Sequence, residues 1–190
     1  MVTSEAYIGL GANMGDRWSR MRVALSALHA TDGVEVDFGS GISSLYETSP
    51  VGGPPGQPDY LNAACRIHTT RTPEALLEAL LAVECSLGRR RCEVDGPRRI
   101  DLDLLLFGDA VVDSPALKVP HPRLHMRGFV LFPLAEIAED VRHPVLGESI
   151  GALYKKWSYT PSQDLVRRVD HSGWAADSEP RAPALGPPPW

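Results

Sequence analysis

Asp101 and Asp103 stand two residues apart in the stretch Gly96-Pro97-Arg98-Arg99-Ile100-Asp101-Leu102-Asp103-Leu104-Leu105-Leu106. Read with the two-residue period of a strand, Ile100, Leu102, Leu104 and Leu106 share one face and the two aspartates share the other. Neighbouring carboxylates repel each other and lower strand propensity, so the pattern is costly unless a cation lies between them. Mg²⁺ meets that need, because it takes one or two carboxylates and completes its shell with water and phosphate oxygens. A lone Asp-x-Asp is more often an acidic strand face in water. Arg89, Arg90, Arg91, Arg98 and Arg99 beside this one change the balance. Guanidinium groups for phosphate oxygens, next to acids for a metal, describe phosphoryl transfer.

Other residues are weaker alone. Tyr60 and Asn62 flank Leu61 and so share a strand face. An amide offers both donors and an acceptor to the edge of a heterocycle, and an aromatic such as Phe129 stacks on its ring. Gly9, Gly11 and Gly15 follow a strand and precede a helix. The spacing is one residue too long for the dinucleotide fingerprint and no run of parallel βα units follows, so a tight turn or a ligand lying against Gly11 are the better readings. His121 sits between prolines with Arg123, His125 and Arg127 near it, a turn that also gathers cations for phosphate. Glu84, in the last turn of a helix before the arginines, reads equally as a solvated i,i+4 partner or a functional acid.

At 190 residues the chain suits one domain, taken as 1–160, with a polar, Pro-rich tail over 161–190 expected to be poorly ordered and dispensable. A net charge of −5 argues against a partner bound through nucleic-acid phosphates. Three cysteines, Cys65, Cys85 and Cys92, match no zinc spacing; their odd number and an N-terminus without a signal-like run point to a reducing cytoplasm. No apolar run is long enough to span a membrane, and monomer is the default state.

The elements that must position these groups are legible in outline. Tyr7–Gly11 reads as a strand, and Asp16 caps a helix with Trp18, Met21, Leu25 and Leu28 on one stripe. Residues 34–46 suit one long strand interrupted at Gly39 and Gly41. The Pro/Gly-rich run 48–59 is a loop, and Tyr60–Ile67 resumes a strand. Thr72 caps a second helix with Leu76, Leu77, Leu80 and Leu81 inward and an end at Leu87-Gly88. After the aspartate strand, Val111-Val112 and 117–119 are short strands, 120–123 is a turn, and 129–137 is a last amphipathic helix. This order predicts an α+β fold, a ferredoxin-like sandwich with helices packed on an antiparallel sheet.

Five blocks then resemble, in order, the hydroxymethyl-dihydropterin pyrophosphokinase family: residues 7–17, 43–50, 57–64, 96–103 and 119–129. The Gly-Pro-Arg-x-x-Asp-Leu-Asp element is the most specific. The resemblance implies a ferredoxin-like fold and transfer of pyrophosphate from ATP to the hydroxymethyl group of a reduced pterin, with release of AMP. It implies that Asp101 and Asp103 hold two Mg²⁺ ions, and that Arg89 and Arg98 contact the triphosphate and steady the transferring group. Arg91, His121, Arg127 and Glu84 would serve ATP. Gly11, Thr48, Ser49, Pro50, Val51, Tyr60, Asn62 and Phe129 would form the pterin pocket.

Such chemistry needs positioning and charge neutralisation more than a covalent residue. No side chain stands out as a general base, and Asp103 beside the hydroxymethyl oxygen is the candidate. The Pro/Gly loop and the arginine loop read as lids that close and exclude water. The chain departs from the family pattern at Val94-Asp95, where Arg-Trp is common, and at Pro122, often aromatic.

Overall fold

β1 (Ser4–Ala12) and β4 (Tyr60–Thr69) pair antiparallel along their whole length, from Ser4↔Thr69 to Ala12↔Leu61, and form the centre of the sheet. The structure, a computed structural model, describes residues 2–50, 54–88, 98–158, 166–169 and 173–176. Between the central strands run α1 (Arg17–His29), β2 (Val34–Val36) and β3 (Leu45–Thr48). After them come α2 (Pro73–Ser86) and β5 (Asp101–Phe107), then a small separate hairpin of β6 (Val112–Asp113) and β7 (Lys118–Val119). A 3₁₀ turn at Leu124–Met126, α3 (Gly128–Ala138), α4 (Ile150–Ser158) and β8 (Val166–Val169) complete the described chain.

The sheet order is β5-β1-β4-β3-β8, every neighbour antiparallel, with β2 pairing the far end of β4. This is the ferredoxin-like arrangement. Helices cover both faces. α1 and α2 lie on one over an apolar core that includes Ile8, Leu10, Met21, Leu25, Ile67, Leu76, Leu80, Leu102 and Leu104. α3 and α4 lie on the other over Tyr7, Ala64, Leu105, Leu106, Leu131 and Leu134.

Local chemistry explains the helix boundaries. Asp16 accepts from Ser19 N at 3.1 Å to cap α1, and Thr72 accepts from Ala75 N at 3.3 Å to cap α2, with Pro73 at its first position. Gly88, at φ +82, takes the left-handed conformation just after α2 ends. α3 and α4 meet so closely that a Cβ on Gly128 would lie 2.4 Å from the Trp157 ring, so only glycine fits there. That contact sets where Arg127 and Phe129 leave the helix start.

Several expectations need correction. Residues 34–46 are not one strand: Asp37 accepts from the Gly39 and Ser40 backbones, a tight turn follows, and β2 and β3 pair with different stretches of β4. Leu106 does not share a face with Leu102 and Leu104. The pairing slips between Tyr7↔Leu106 and Ile8↔Leu104, so the bulge turns Leu106 to the α3 side. In α2, Ala79 and Val83 are buried where Leu77 and Leu81 are only partly so; in α1, Trp18 lies at the edge of the stripe at 36 % exposure. The strand expected at Val111-Val112 runs over Val112–Asp113 instead.

The sequence reading also lacks α4 and β8. Within 161–190, residues 166–169 join the sheet and Trp174 is buried.

Candidate active site

On the α3 side, one row of paired residues crosses the sheet as Tyr46↔Asn62↔Gly11↔Asp101, and Asp103 pairs with Gly9 in the next row. Asn62 and Asp101 are therefore two strand spacings apart, about 10 Å, with only glycine between them. The missing side chain matters: a Cβ on Gly11 would come within 3.2 Å of Asn62 Oδ1. α3 begins beyond this row, so the sheet floor stays open as a cavity of about 820 Å³ counting its mouth.

The cavity is lined by Gly11, Thr48, Ser49, Pro50, Tyr60, Asn62, Arg98, Asp101, Asp103, Arg127 and Phe129 from the expected set, together with Gly9, Leu105 and Val130. At one end Asn62 Nδ2 donates to Thr48 Oγ1 at 2.8 Å, fixing which way the buried amide faces. Phe129 forms an aromatic wall, with the Arg127 guanidinium carbon 5.3 Å from its ring centre. Val130 was not singled out beforehand, and Gly9 was named only as part of the glycine turn. Gly9 carried a signal, since it shares a strand face with Gly11.

At the other end Arg98 Nη1 donates to Asp101 Oδ2 at 2.5 Å. Burial works against the Arg98 charge, but Asp101 beside it more than compensates and holds its pKa above the ordinary value. The buried Asn13 locks this segment: its Oδ1 accepts from Arg98 N at 2.7 Å, and its Nδ2 donates to Pro58 O at 3.2 Å. Asn13 falls within the block at residues 7–17 with no role read for it; its burial at a strand end is a tertiary fact.

Two expected residues lie outside the lining. Glu84 is fully buried on the opposite side of β5, where Oε1 accepts from Leu102 N at 2.7 Å, between the two aspartates. The structure thus places it behind the strand. His121 donates its backbone N–H to Leu105 O at 2.9 Å, and its Nδ1 accepts from Arg123 N at 3.2 Å. Burial, then the cations Arg127 and Arg123, lower its pKa to about 4. His121 is therefore neutral at pH 7, so at that pH it offers a hydrogen-bond donor and no charge. Arg89, Arg91 and Val51 lie outside the described residues.

The donor set can be tested against a metal. Among the described residues no group of three or more His, Cys, Asp or Glu side chains converges. Two carboxylates lining an open cavity suit Mg²⁺, which leaves positions for water and substrate phosphates, and not a closed all-protein cage. Among the described residues no helix is long and apolar enough to cross a membrane.

The sequence model of the family described as 7,8-dihydro-6-hydroxymethylpterin-pyrophosphokinase matches residues 7–139. The chain is 38 % identical over 166 residues to the 2-amino-4-hydroxy-6-hydroxymethyldihydropteridine pyrophosphokinase of Synechocystis sp., covering 84 % of this chain and 83 % of that one. It is 46 % identical over 136 residues to the enzyme of the same name from Bacillus subtilis, covering 72 % and 79 %. Among solved structures, Plasmodium falciparum HPPK-DHPS with pterin and p-hydroxybenzoate superposes with a TM-score of 0.64 at 16 % identity. That likeness is one of fold. It covers 83 % of this chain and 42 % of the other, so the chain spans less than half of that protein.

Proposed function

The chain belongs to the 7,8-dihydro-6-hydroxymethylpterin-pyrophosphokinase family, and from that premise we propose how its cavity divides the reaction among its residues. The enzyme transfers pyrophosphate from ATP to the hydroxymethyl group of 6-hydroxymethyl-7,8-dihydropterin and releases AMP, a step of tetrahydrofolate biosynthesis. The observation that carries the division is the row Asn62–Gly11–Asp101, which sets a heterocycle reader and an acid pair side by side on one floor.

The pterin lies at the Asn62 end. The amide, oriented by Thr48, reads its polar edge, Gly11 lets the ring approach the sheet, and Phe129 stacks over it with Tyr60, Ser49 and Pro50 around the rim. The hydroxymethyl group then points along the row toward Asp101 and Asp103. The triphosphate lies there, held by Arg98 and Arg127, with Arg89 and Arg91 contributing from the basic segment and neutral His121 donating a hydrogen bond.

Asp101 and Asp103 are the residues to hold two Mg²⁺ ions together with phosphate oxygens. The ions, when bound, neutralise the phosphates and polarise the β-phosphorus toward attack. The pterin oxygen forms its bond to that phosphorus as the bond to the α-phosphate oxygen breaks and AMP leaves. Asp103 would take the hydroxyl proton. Arg98 has a defined exchange to make. In the structure it neutralises Asp101, and it would exchange that carboxylate for the phosphates of ATP. Glu84 supports the acid pair from behind by holding Leu102 N.

We place the enzyme in the cytoplasm as a monomer. Cys65 and Cys85, the described cysteines, are unpaired thiols, as a reducing compartment requires. The test is product analysis with ATP, Mg²⁺ and the pterin. The expected result is AMP formed only when both pterin and Mg²⁺ are present, and abolished by chelation. ADP as the product would mean attack at the γ-phosphorus and would overturn the assignment.

A further inference from the structure

The pterin side of the cavity hangs from β3, and residues 166–169 together with Trp174 hold β3 from outside. β8 pairs with it from Leu45↔Val169 to Thr48↔Val166. Trp174, 6 % exposed, packs into the α1/α2 core, and its Nε1 donates to Ser43 O at 2.8 Å. Arg168 Nε donates to Ser44 Oγ at 3.0 Å and lies 3.6 Å from Glu136 Oε1 of α3.

A second set of contacts centres on Glu47. One of its oxygens pairs with Arg167 of β8, the other with Arg17 Nη2 at 3.0 Å. Arg17 Nη1 donates to the Asp59 carbonyl at 2.7 Å. Glu47 immediately precedes Thr48, and Asp59 immediately precedes Tyr60. One guanidinium therefore spans the two points at which the chain leaves β3 and re-enters β4. Alternation puts Thr48 and Tyr46 on the cavity face and Glu47, like Leu45, on the α1 face. The brace therefore lies on the reverse of the sheet and cannot touch the ligand.

We propose that Arg17, Glu47 and Arg167 are positioning residues for the pterin, and that β8 and Trp174 are working parts of the pterin subsite; this rests on the reading of the Asn62 end as that subsite. The brace fixes the base of the loop before the ligand arrives, so Thr48, Ser49 and Pro50 stand in register with Tyr60 and Asn62. A loop ordered in advance loses less entropy on binding. Exposed ion pairs are individually weak, so this one sets loop geometry and does not hold up the fold. Arg167 first, and then Arg17, keep the Glu47 carboxyl below its ordinary pKa, so it stays ionised wherever the enzyme works.

The experiment uses the full chain with Arg17→Ala, Arg167→Ala and Asn62→Ala, measuring kcat, the KM of each substrate and the melting temperature. Each arginine variant should raise the pterin KM roughly three- to tenfold, leaving the ATP KM and kcat unchanged. The double variant should add little, since both act through Glu47. A parallel readout is the salt dependence. The pterin is uncharged, so a pterin KM that rises with salt in the wild type and not in Arg17→Ala reports the brace. An unmoved pterin KM beside a raised one in Asn62→Ala would overturn the brace and leave the pocket reading standing. No effect in Asn62→Ala would overturn the pocket reading and the brace with it. A rise in both KM values with a fallen melting temperature would show a merely structural role and overturn the proposal.

Discussion

The two faces of β1, β4 and β5 share a backbone and differ in nearly everything else. Toward α1 and α2 the strands present Ile8, Leu10, Cys65, Ile67, Leu102 and Leu104, all at 4 % exposure or less. Toward α3 they present Gly9, Gly11, Asn62, Asp101 and Asp103, and α3 and α4 cover only the end where Tyr7, Ala64 and Leu105 lie. A face that must be filled requires volume, because each void leaves its lining without contacts. A face that holds a ligand gives volume up, and its polar groups stay hydrated until substrate replaces the water. Cys65 illustrates the first case: burial pushes its thiol up to about 12, and it behaves as a small apolar residue.

Breaking the open face should cost rate and little stability. Asp101→Ala should lose at least about a thousandfold in kcat, about 4 kcal/mol of transition-state stabilisation, measured as pterin-dependent AMP release. Breaking the filled face should do the reverse. Leu104→Ala should lower unfolding free energy by about 3 kcal/mol in denaturant titration, with both KM values unchanged while the protein is folded.

His121 sharpens the boundary between the faces through pH. Its folded pKa, about 4, lies below the unfolded value of 6.5, so between those values the unfolded state binds more protons. Stability should fall as pH drops from 6.5 to 4, by at most about 3 kcal/mol, and His121→Asn should lose that slope in melts across the window. Gly11→Ala is the mildest change. It adds one methyl 3.2 Å from Asn62 Oδ1 and should raise the pterin KM about tenfold without altering the melting temperature.

Much of the open face was legible because strand alternation and helix capping are local. Asp101 and Asp103, and Tyr60 and Asn62, come from period two, Gly11 from the glycine turn that ends β1, and Thr72 and Gly88 from helix-end chemistry. Glu84 was half legible: it falls four residues after Leu80 on the buried stripe of α2, which predicts burial, but its partner at Leu102 N is tertiary. The Leu106 reversal depends on a bulge set by pairing with Tyr7, which no single-strand pattern contains. β8 reads Val-Arg-Arg-Val, and the carboxylates that fix it, Glu47 and Glu136, lie far away in sequence. α4 had a signal that was missed, the cap in which Ser149 Oγ accepts from Ala152 N at 3.2 Å.

Asp103→Ala, assayed for AMP release and for melting temperature in the same preparation, tests the division of the sheet most directly. The expected result is pterin-dependent AMP formation reduced at least about a thousandfold at an unchanged melting temperature and pterin affinity. Retained turnover, or a loss of activity that follows a loss of fold, would contradict it.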